Sequence, residues 1–222
     1  MEEIKADLSN DEALIDLIAQ GVADFYGSNS IPIDKVKEAL RYEIKRYLQD
    51  KQNLSEENVA QKWYKTIDHL IYEEKKYEEQ EKDGGNYRKV VCKKKCSFCC
   101  NIAVVITNEE AKLLSKISKE KNIKINKKRL KLQMIKNAEN WHDLGIKNMR
   151  CVFLRENECS IYEYRPIVCR THFVMDGKML CYPYEKNHRV RHWKPIIVSV
   201  AEAAAMLCGE ADLMARKLLK LI

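Results

Sequence analysis

Eight of the nine cysteines in this 222-residue chain lie between positions 92 and 181, and their thiols are the side chains with the most evident chemistry. Four of them fall within nine residues, in the pattern Cys92-x3-Cys96-x2-Cys99-Cys100. This spacing lets several sulfur atoms converge on one centre, whereas a disulfide between near neighbours is strained and does not persist in a reducing compartment. The pattern therefore predicts a thiolate-bound metal ion or cluster.

A second group of cysteines lies about 50 to 70 residues further along the chain. Cys151, Cys159 and Cys169 can reach the first group only if the segment between them folds back. A metal with ligands from both groups would fix the chain between them in a folded arrangement, so the folding of this part would be coupled to metal binding. Cys92 and Cys181 stand at the two ends of the cluster, and the spacing assigns them to the centre least firmly.

The spacing also bears on the identity of the metal. A structural zinc site usually has four ligands in paired Cys-x2-Cys units, and Cys96 with Cys99 is the one pair that has this form. Because the distal cysteines are eight and ten residues apart, the pattern favours an iron–sulfur cluster, a [4Fe–4S] centre, with zinc as the alternative. Eight thiols could also serve two four-ligand sites. Cys99 and Cys100 are adjacent, so their side chains are expected to diverge.

The remaining cysteine and three histidines are expected to lie outside the ligand set. Cys208 stands alone on a predicted helix, where a small buried apolar side chain is the expected role. His172 follows Cys169 by three residues and could reach the same metal, but a hydrogen-bonded or surface histidine is the more common case. His188 and His192 lie four residues apart in a basic segment without the glutamate of a metalloprotease motif, which predicts a solvated loop.

The charge of the chain changes at the Asp83-Gly84-Gly85-Asn86 break. Residues 1–91 carry 14 basic and 20 acidic side chains, a net charge of −6, whereas residues 92–222 carry 26 and 13, a net charge of +13. All nine cysteines lie in the second part. We therefore predict two domains, an N-terminal helical bundle over 1–85 and a cysteine-cluster metal-binding domain with a C-terminal helix over 86–222.

The positive charge of the second part has two candidate uses. Thiolates around a metal leave a net negative charge, which nearby cations would offset. The cations close to the cysteines in sequence are Lys93, Lys94, Lys95, Arg165 and Arg170. The charge could instead attract phosphates to Lys119–Lys136 and Lys186–Lys194. Because no nucleic-acid-binding module accompanies it, an unidentified protein or small-molecule partner is predicted in preference to nucleic acid.

Composition narrows the class of protein. The chain is 45% hydrophobic and 33% charged, with 7 Gly and 4 Pro, which is typical of a globular protein rather than a low-complexity polymer. No apolar run approaches the roughly 20 residues of a membrane helix, so no contact with a membrane is predicted. The first residues, MEEIKADLSNDEAL, lack the basic and apolar regions of a secretory signal. A cytoplasmic location follows as an expectation.

Three helices are predicted before the break. The first helix has capping-box spacing at Ser9 and Glu12, and Gly27 would end it. The second helix begins near Asp34, and Ser55 caps the third helix. The apolar stripes consist of Leu14, Leu17, Ile18, Val22 and Phe25 in the first, Val36, Leu40, Ile44, Tyr47 and Leu48 in the second, and Val59, Trp63, Ile67, Leu70 and Ile71 in the third. The charged segment 73–83 at the end of the third is expected to be a solvated face.

The second part is predicted to contain helices that flank an irregular stretch. The apolar run Asn101–Ile106 would be a short strand or extended segment, and Thr107 with Glu110 forms a capping box that opens a helix. Further helices are predicted over Asn126–Trp141 and Ser199–Ile222. Residues 142–197 lack hydrophobic periodicity, so something besides apolar packing must hold them. The expected fold is mainly α, an N-terminal helical bundle plus an irregular, helix-flanked cysteine-rich metal-binding domain.

The cysteine motifs resemble a known family. The segments Cys96-Ser-Phe-Cys99-Cys100, Cys151-Val-Phe-Leu154 and Cys159-Ser-Ile-Tyr-Glu-Tyr-Arg-Pro-Ile-Val-Cys-Arg170 together are similar to the YkgJ-type cysteine-cluster family, which is described as a zinc- or iron-chelating domain. The resemblance covers about residues 90–175. It implies that Arg165, Pro166 and Arg170 shape the loop, and that metal ligands are found among Cys96, Cys99, Cys100, Cys151, Cys159 and Cys169.

Three functions remain open at this point. The first is a cytosolic metal-binding protein that holds an iron–sulfur cluster, or zinc, in a structural or redox role. The second is a cluster-dependent enzyme such as a protein lysine N-methylase-like methyltransferase, which is implied by the related cysteine region of flagellin lysine N-methylases. The chain has no Gly-x-Gly loop for a nucleotide or S-adenosylmethionine. The third is a zinc-stapled module that binds acidic partners through its basic surface. No constellation of catalytic acid, base and nucleophile separates these alternatives.

Overall fold

The computed structural model describes residues 8, 11–26, 32–80, 85–93, 95–136, 141–175 and 191–222. Its first part consists of three long helices, α1 (Glu12–Tyr26), α2 (Ile33–Asn53) and α3 (Glu56–Glu79). The three predicted helices are therefore confirmed. The predicted terminal signals Ser9 and Gly27 of the first helix lie outside the described residues.

Most of the predicted apolar stripes of α2 and α3 are buried in the core. Val36, Leu40 and Ile44 on α2 are at most 2% exposed, as is Trp63 on α3. The ring of Trp63 packs 4.8 Å from the ring of Tyr47, measured between centroids. Ser55 caps α3 by accepting a hydrogen bond from the Asn58 amide.

The stripe of α1 differs from the predicted one. Leu17 is 72% exposed, and the buried side of the helix consists of Ile15, Ala19, Val22 and Ala23. The spacing of three residues from Leu14 predicts that Leu17 belongs to the apolar stripe. Leu17 is, however, two residues away from both Ile15 and Ala19, which places it off the buried side of the helix. The predicted stripe is therefore wider than the buried one.

In the second part of the chain, the short strand β1 (Val105–Ile106) is followed by two helices, α4 (Asn108–Glu120) and α5 (Lys127–Met134). The predicted capping box at α4 is present, because the Thr107 hydroxyl accepts from the Glu110 amide and the Glu110 carboxylate accepts from the Thr107 amide.

The predicted helix over Asn126–Trp141 is too long. Helix α5 ends at Met134, and Trp141 lies in a separate 3₁₀ turn, Trp141–Leu144. Met134 is 38% exposed and Ile135 is 68% exposed, so the end of the helix lacks the buried face that Leu130 and Gln133 provide before it. A short helix gains its stability from such a face, and without it the helix stops.

The stretch from residue 142 to Pro195 contains, in its described residues, only elements of two to five residues. The helical ones are α6 (Ile146–Met149) and α7 (Ile167–Thr171). The strands are β2 (Leu154–Arg155), β3 (Glu158–Cys159), β4 (Phe173–Val174) and β5 (His192–Trp193), paired antiparallel as β2 with β3 and β4 with β5. The expected irregular backbone is therefore observed.

The predicted last helix over Ser199–Ile222 is interrupted. Pro195 caps α8 (Ile196–Cys208), and after Gly209 the chain forms β6 (Asp212–Leu213) and then α9 (Met214–Leu219). The reason is a long-range pairing, because β6 pairs antiparallel with β1. At Gly209 the backbone approaches Thr107 so closely that a Cβ atom has no room. Tertiary pairing here overrides the local helical pattern.

The helices before and after the break share one hydrophobic core. Helix α2 packs against α8, and α3 packs against α4, α7 and α8. Polar contacts cross the same boundary: the Lys51 ammonium lies 2.8 Å from the buried Glu109 carboxylate, which also accepts a 2.9 Å hydrogen bond from Tyr47. The division at residue 85 stays a prediction. Among the helices in the described ranges, none has the length and apolarity needed to cross a bilayer.

Candidate metal centre

Seven cysteines line one cavity of about 130 Å³ in the second part of the chain. They are Cys92, Cys96, Cys99, Cys100, Cys151, Cys159 and Cys169. Cys181 lies outside the described residues. Cys208 is 4% exposed in the apolar core on α8, as expected for a cysteine that is not a ligand. The structure thus brings together thiols from segments up to 77 positions apart, from 92 to 169.

The main chain joins the first cysteine segment to the second. Cys99 and Cys100 lie in a 3₁₀ turn, Phe98–Asn101. The Cys100 carbonyl accepts a 2.7 Å hydrogen bond from the Cys151 amide. Leu154 on β2 follows Cys151 by three residues, and Cys159 on β3 lies opposite Leu154. The tight β2–β3 hairpin therefore returns Cys159 to the side of the cavity that Cys151 occupies.

Cys92 is held at the cavity by the strand β4. The Val91 amide donates a 2.8 Å hydrogen bond to the Val174 carbonyl. The Val174 amide in turn donates to the Cys92 sulfur at 3.2 Å, and the Cys92 thiol lies 3.8 Å from the His172 carbonyl oxygen that accepts from it. Cys92 was the least firmly placed of the described candidates, and the structure puts its sulfur beside the others.

Glu110 positions the helix that carries Cys169. One carboxylate oxygen accepts a 2.9 Å hydrogen bond from the Thr107 amide, and the other accepts a 2.7 Å bond from the Ile167 amide at the start of α7. Local spacing identifies the capping box but contains no signal for the bond to Ile167, which is 57 residues away. Through this carboxylate, α4 fixes the beginning of α7 and hence the entry of Cys169 into the cavity.

Arg170 ties the same segment to the N-terminal helices. Its side chain is 4% exposed, lies over the ring of Tyr64 on α3 at 4.3 Å, and pairs with Asp68 at 2.5 Å. It also donates to the carbonyl of Arg165 at 2.8 Å and to that of Glu163. The family resemblance implied that Arg170 shapes this loop, and these contacts agree with that role.

Glu78 was expected to belong to a solvated charged face, but it braces the Cys92 side of the site. Its carboxylate accepts a 2.6 Å hydrogen bond from the Tyr87 amide and a 2.8 Å bond from the Trp193 indole on β5. The rings of Tyr87 and Trp193 also pack edge to face, 4.8 Å apart. Nothing in the local sequence distinguishes Glu78 from its charged neighbours, because both of its partners come from other segments.

The electrostatics of the cavity separate the thiols into two kinds. Burial raises the pKa of Cys151 to about 12 and holds the pKa of Cys169 well above its ordinary value. The pKa of Cys99, in contrast, is lowered to about 7, because the Cys100 thiol donates a hydrogen bond to its sulfur and Arg165 lies nearby. Cys99 and Cys100 therefore do not diverge as expected, since both line the cavity and bond to each other.

The donor set fits a thiophilic metal group. The sulfur atoms that line the cavity belong to the seven cysteines and to Met214. Thiolates are suitable ligands for zinc and for iron–sulfur clusters. No three cysteine, histidine or carboxylate side chains within the described ranges already have the geometry of a site for one metal ion. The cavity of about 130 Å³ is roughly ten times what one water-sized sphere requires.

Cations surround the thiols. Lys93, Lys95, Arg165 and Arg170 line the cavity, whereas Lys94 lies outside the described residues. These positive charges would offset the negative charge of metal-bound thiolates. His172 also lines the cavity and packs on His192 with 4.9 Å between ring centroids. Burial lowers the pKa of His172 to about 4, which keeps its imidazole neutral.

Comparison with known proteins gives one match. Residues 91–195 match the family model described as "CxxCxxCC: Putative zinc- or iron-chelating domain", which confirms the resemblance seen in the cysteine motifs. No curated protein and no solved structure matches the chain. The family pattern CxxCxxCC has two residues between its first two cysteines, whereas this chain has three, residues 93–95. Lys95 adopts a left-handed backbone with φ of 72°. The family that these residues match is described as zinc- or iron-chelating, and the assignment of each ligand stays a prediction.

Glu110 gives a testable pH dependence. Burial raises its pKa to about 7, despite the hydrogen bonds from Thr107 and Ile167. Since its pKa in the folded state exceeds the unfolded value of about 4.3, its stabilising contribution is complete below the unfolded pKa and is lost as the pH rises through 7. Relative to Glu110→Gln, we expect the wild-type free energy of unfolding to fall by about 3 kcal/mol between pH 4.5 and pH 7.5.

Urea denaturation at intervals over that pH range measures the effect. The matched control is Glu56→Gln, which removes an exposed carboxylate paired with Lys112 and should leave the pH profile of the wild type unchanged. Parallel pH profiles for the wild type and Glu110→Gln would show that Glu110 does not titrate in this range.

Proposed function

We propose that the cysteine cluster, within the zinc- or iron-chelating domain of residues 91–195, holds a [4Fe–4S] cluster that serves a redox or structural role in a cytoplasmic protein. The observation that carries the proposal is the single cavity of about 130 Å³ lined by seven thiols from separate segments. A structural zinc is held by four ligands about 2.3 Å from the ion. Zinc therefore needs the thiols closed around a much smaller space, whereas an inorganic cluster occupies a larger one.

The mutual influence of the thiols supports one set of four ligands. Cys99, Cys151 and Cys159 each act on the pKa of Cys169, and Cys99 and Cys159 both act on that of Cys151. Charges influence each other in this way only at short range. We infer that Cys99, Cys151, Cys159 and Cys169 face one another and bind the cluster. Cys151 and Cys169 also act on the pKa of Cys100, but its hydrogen bond to Cys99 makes it a partner of that ligand in this proposal, and Cys92 and Cys96 then lie at the edge of the site.

The protein would stabilise and tune this centre through hydrogen bonds to sulfur. The amide of Phe153 bonds to the Cys151 sulfur, and the amide of Ile161 bonds to the Cys159 sulfur. Both bonds favour the thiolate form of the ligand. Arg165 acts on Cys99 and Cys159 in the same direction. A bound cluster supplies one-electron chemistry, whose potential depends on such hydrogen bonds and on burial.

A redox or structural role is preferred over the two alternatives. Among the described residues that line the cavity there is no carboxylate, so a general acid or base for methyl transfer would have to be Tyr162, His172 or a lysine. The zinc-stapled module is the simpler rival, because it requires only four of the thiols.

Anaerobic purification followed by absorption spectroscopy and elemental analysis tests the proposal. We expect a broad band near about 400 nm and about four iron and four sulfide per chain, with zinc well below one equivalent. Reduction with dithionite should bleach that band if the cluster is redox-active. A colourless protein with one or two zinc and no acid-labile sulfide would replace the iron–sulfur cluster with zinc.

A further inference from the structure

A side-chain amide brings two arginines together outside the thiol cavity. Gln133 on α5 donates hydrogen bonds to the carbonyl oxygens of Asn148 at 2.6 Å and Arg150 at 3.1 Å. Arg129 precedes Gln133 by four residues, so both lie on the same face of α5. The face that binds the main chain at Arg150 thus also carries Arg129.

The β2–β3 hairpin adds a third guanidinium. Arg155 donates to the Lys124 carbonyl at 2.6 Å, just before α5, and to the Val152 and Leu154 carbonyls at 2.9 and 3.0 Å. Arg150 lies 3.4 Å from the side-chain oxygen of Asn157 in the hairpin turn. We call Arg129, Arg150 and Arg155 the arginine cluster. Main-chain and amide contacts hold its members in place.

The charge of the arginine cluster is not neutralised by carboxylates. Elsewhere in the described chain, arginines commonly pair with an acidic side chain; examples are Arg41, Arg46, Arg170 and Arg216. No ion pair among the described residues involves a member of the arginine cluster. Partial burial lowers the pKa of Arg129, and the positive charges of Arg150 and Arg155 lower it further, against a smaller opposing influence of Cys151. Like charges held together without a counterion favour the binding of an anion.

An open groove adjoins the arginine cluster. It has a volume of about 320 Å³ and is lined by Lys95, Ser97, Phe98, Asn101, Arg150, Leu154 and Asn157. Of the arginine cluster, Arg150 lines the groove, and its guanidinium also lies beside Asn157, a second lining residue, so the arginine cluster meets the groove at Arg150. A volume of this size is at the lower end of the range for small-molecule sites. The groove offers hydroxyl, amide and aromatic groups to the part of a ligand that carries no charge.

We propose that the arginine cluster binds the phosphate group of a phosphate ester whose remaining part lies in the groove. Guanidinium groups bind phosphate oxygens through paired hydrogen bonds, and three of them supply more positive charge than a single carboxylate balances. A free nucleotide and the backbone of a single-stranded nucleic acid offer the same group. None of the three arginines lines the thiol cavity, although Arg129 lies within electrostatic reach of Cys151 and Lys95 lines both the cavity and the groove.

Fluorescence anisotropy with two probes tests the proposal on the purified full-length protein. The probes are a fluorescently labelled ATP and a fluorescein-labelled twelve-residue oligodeoxythymidylate, each with unlabelled pyrophosphate as competitor. For the probe that binds, we expect the triple variant Arg129→Gln, Arg150→Gln, Arg155→Gln to weaken binding at least tenfold. For the oligonucleotide, the slope of log affinity against log salt should also fall by about 2, at about 0.7 per lost phosphate contact.

The control variant removes the same charge from another surface. Lys35, Lys45 and Lys65 are exposed on α2 and α3, and their replacement by glutamine should change affinity less than twofold. Arg129→Gln alone is the second test variant, because the Arg129 side chain makes none of the hydrogen bonds that hold the hairpin. It should weaken binding at least threefold while the circular dichroism spectrum and metal content stay those of the wild type.

The pattern of binding identifies the source of the phosphate. Binding of the labelled ATP with full competition by pyrophosphate would support a small phosphorylated ligand, and affinity that rises with oligonucleotide length would support a nucleic-acid backbone. Equal losses in the arginine and lysine triple variants would reduce the effect to net charge and overturn the proposal. It would also be overturned if neither probe bound, or if binding were observed with polyglutamate alone.

Discussion

Replacement of Cys169 by serine should remove most of the bound metal and lower the melting temperature of the protein. Cys169 lies in α7, where Glu110 fixes the first turn and Arg170 is tied to α3. Its sulfur is buried in the cavity among the other thiols, so a serine oxygen there would be a poor ligand without water to replace it. Loss of a group that merely supports a ligand costs about 10- to 100-fold in metal affinity, and loss of the ligand itself should cost more.

The measurement combines elemental analysis of anaerobically purified protein with thermal melting. Cys159→Ser should behave in the same way, because Cys159 is in the proposed ligand set. Cys208→Ala is the matched control: it removes a buried thiol from the core on α8, far from the cavity lining, and should keep the full metal content. Wild-type metal content and melting in both Cys159→Ser and Cys169→Ser would remove these residues from the ligand set.

Arg170→Ala should destabilise the folded protein by about 3 kcal/mol. The substitution removes a buried guanidinium and leaves the carbonyls of Glu163 and Arg165 without their donor. Truncation of one member of a buried charged contact typically costs about 3–5 kcal/mol. The lower end applies here, because the Asp68 side chain is 50% exposed and water can solvate it. The free energy of unfolding from urea denaturation measures the effect.

Arg41→Ala is the control for Arg170→Ala. Arg41 pairs with Glu12 at the surface, where the two side chains are 31% and 67% exposed, and such pairs contribute about 1 kcal/mol or less. The Arg170 variant should also bind metal less tightly, because its contacts hold the segment between Cys159 and Cys169. Equal, small losses of stability in the two variants would mean that Arg170 does not brace the cysteine segment.

Local sequence determined the features whose partners lie within a few residues. The capping box of Thr107 and Glu110, the stripe of Val36, Leu40 and Ile44, and the dense motif Cys96 to Cys100 each depend on spacing within one element. Their geometry follows from the helical repeat or from a single turn, so it can be read without knowledge of the rest of the chain. The irregular backbone after residue 142 was predictable for the same reason, because hydrophobic periodicity is absent there.

Tertiary structure alone decided how distant segments meet. The pairing of β6 with β1 interrupts the helical pattern after Cys208, and the second bond of Glu110 reaches Ile167 across 57 positions. The meeting of Arg129 with Arg150 and Arg155 depends on the position of Gln133 against a turn. Hydrophobic periodicity shows that a face is buried but not what covers it, because the covering residues come from elsewhere in the chain. For that reason the sequence could indicate the cysteines as a group. The shape of the cavity, and the contacts of Glu78, Glu110 and Arg170 that hold its walls, could be seen only in the folded structure.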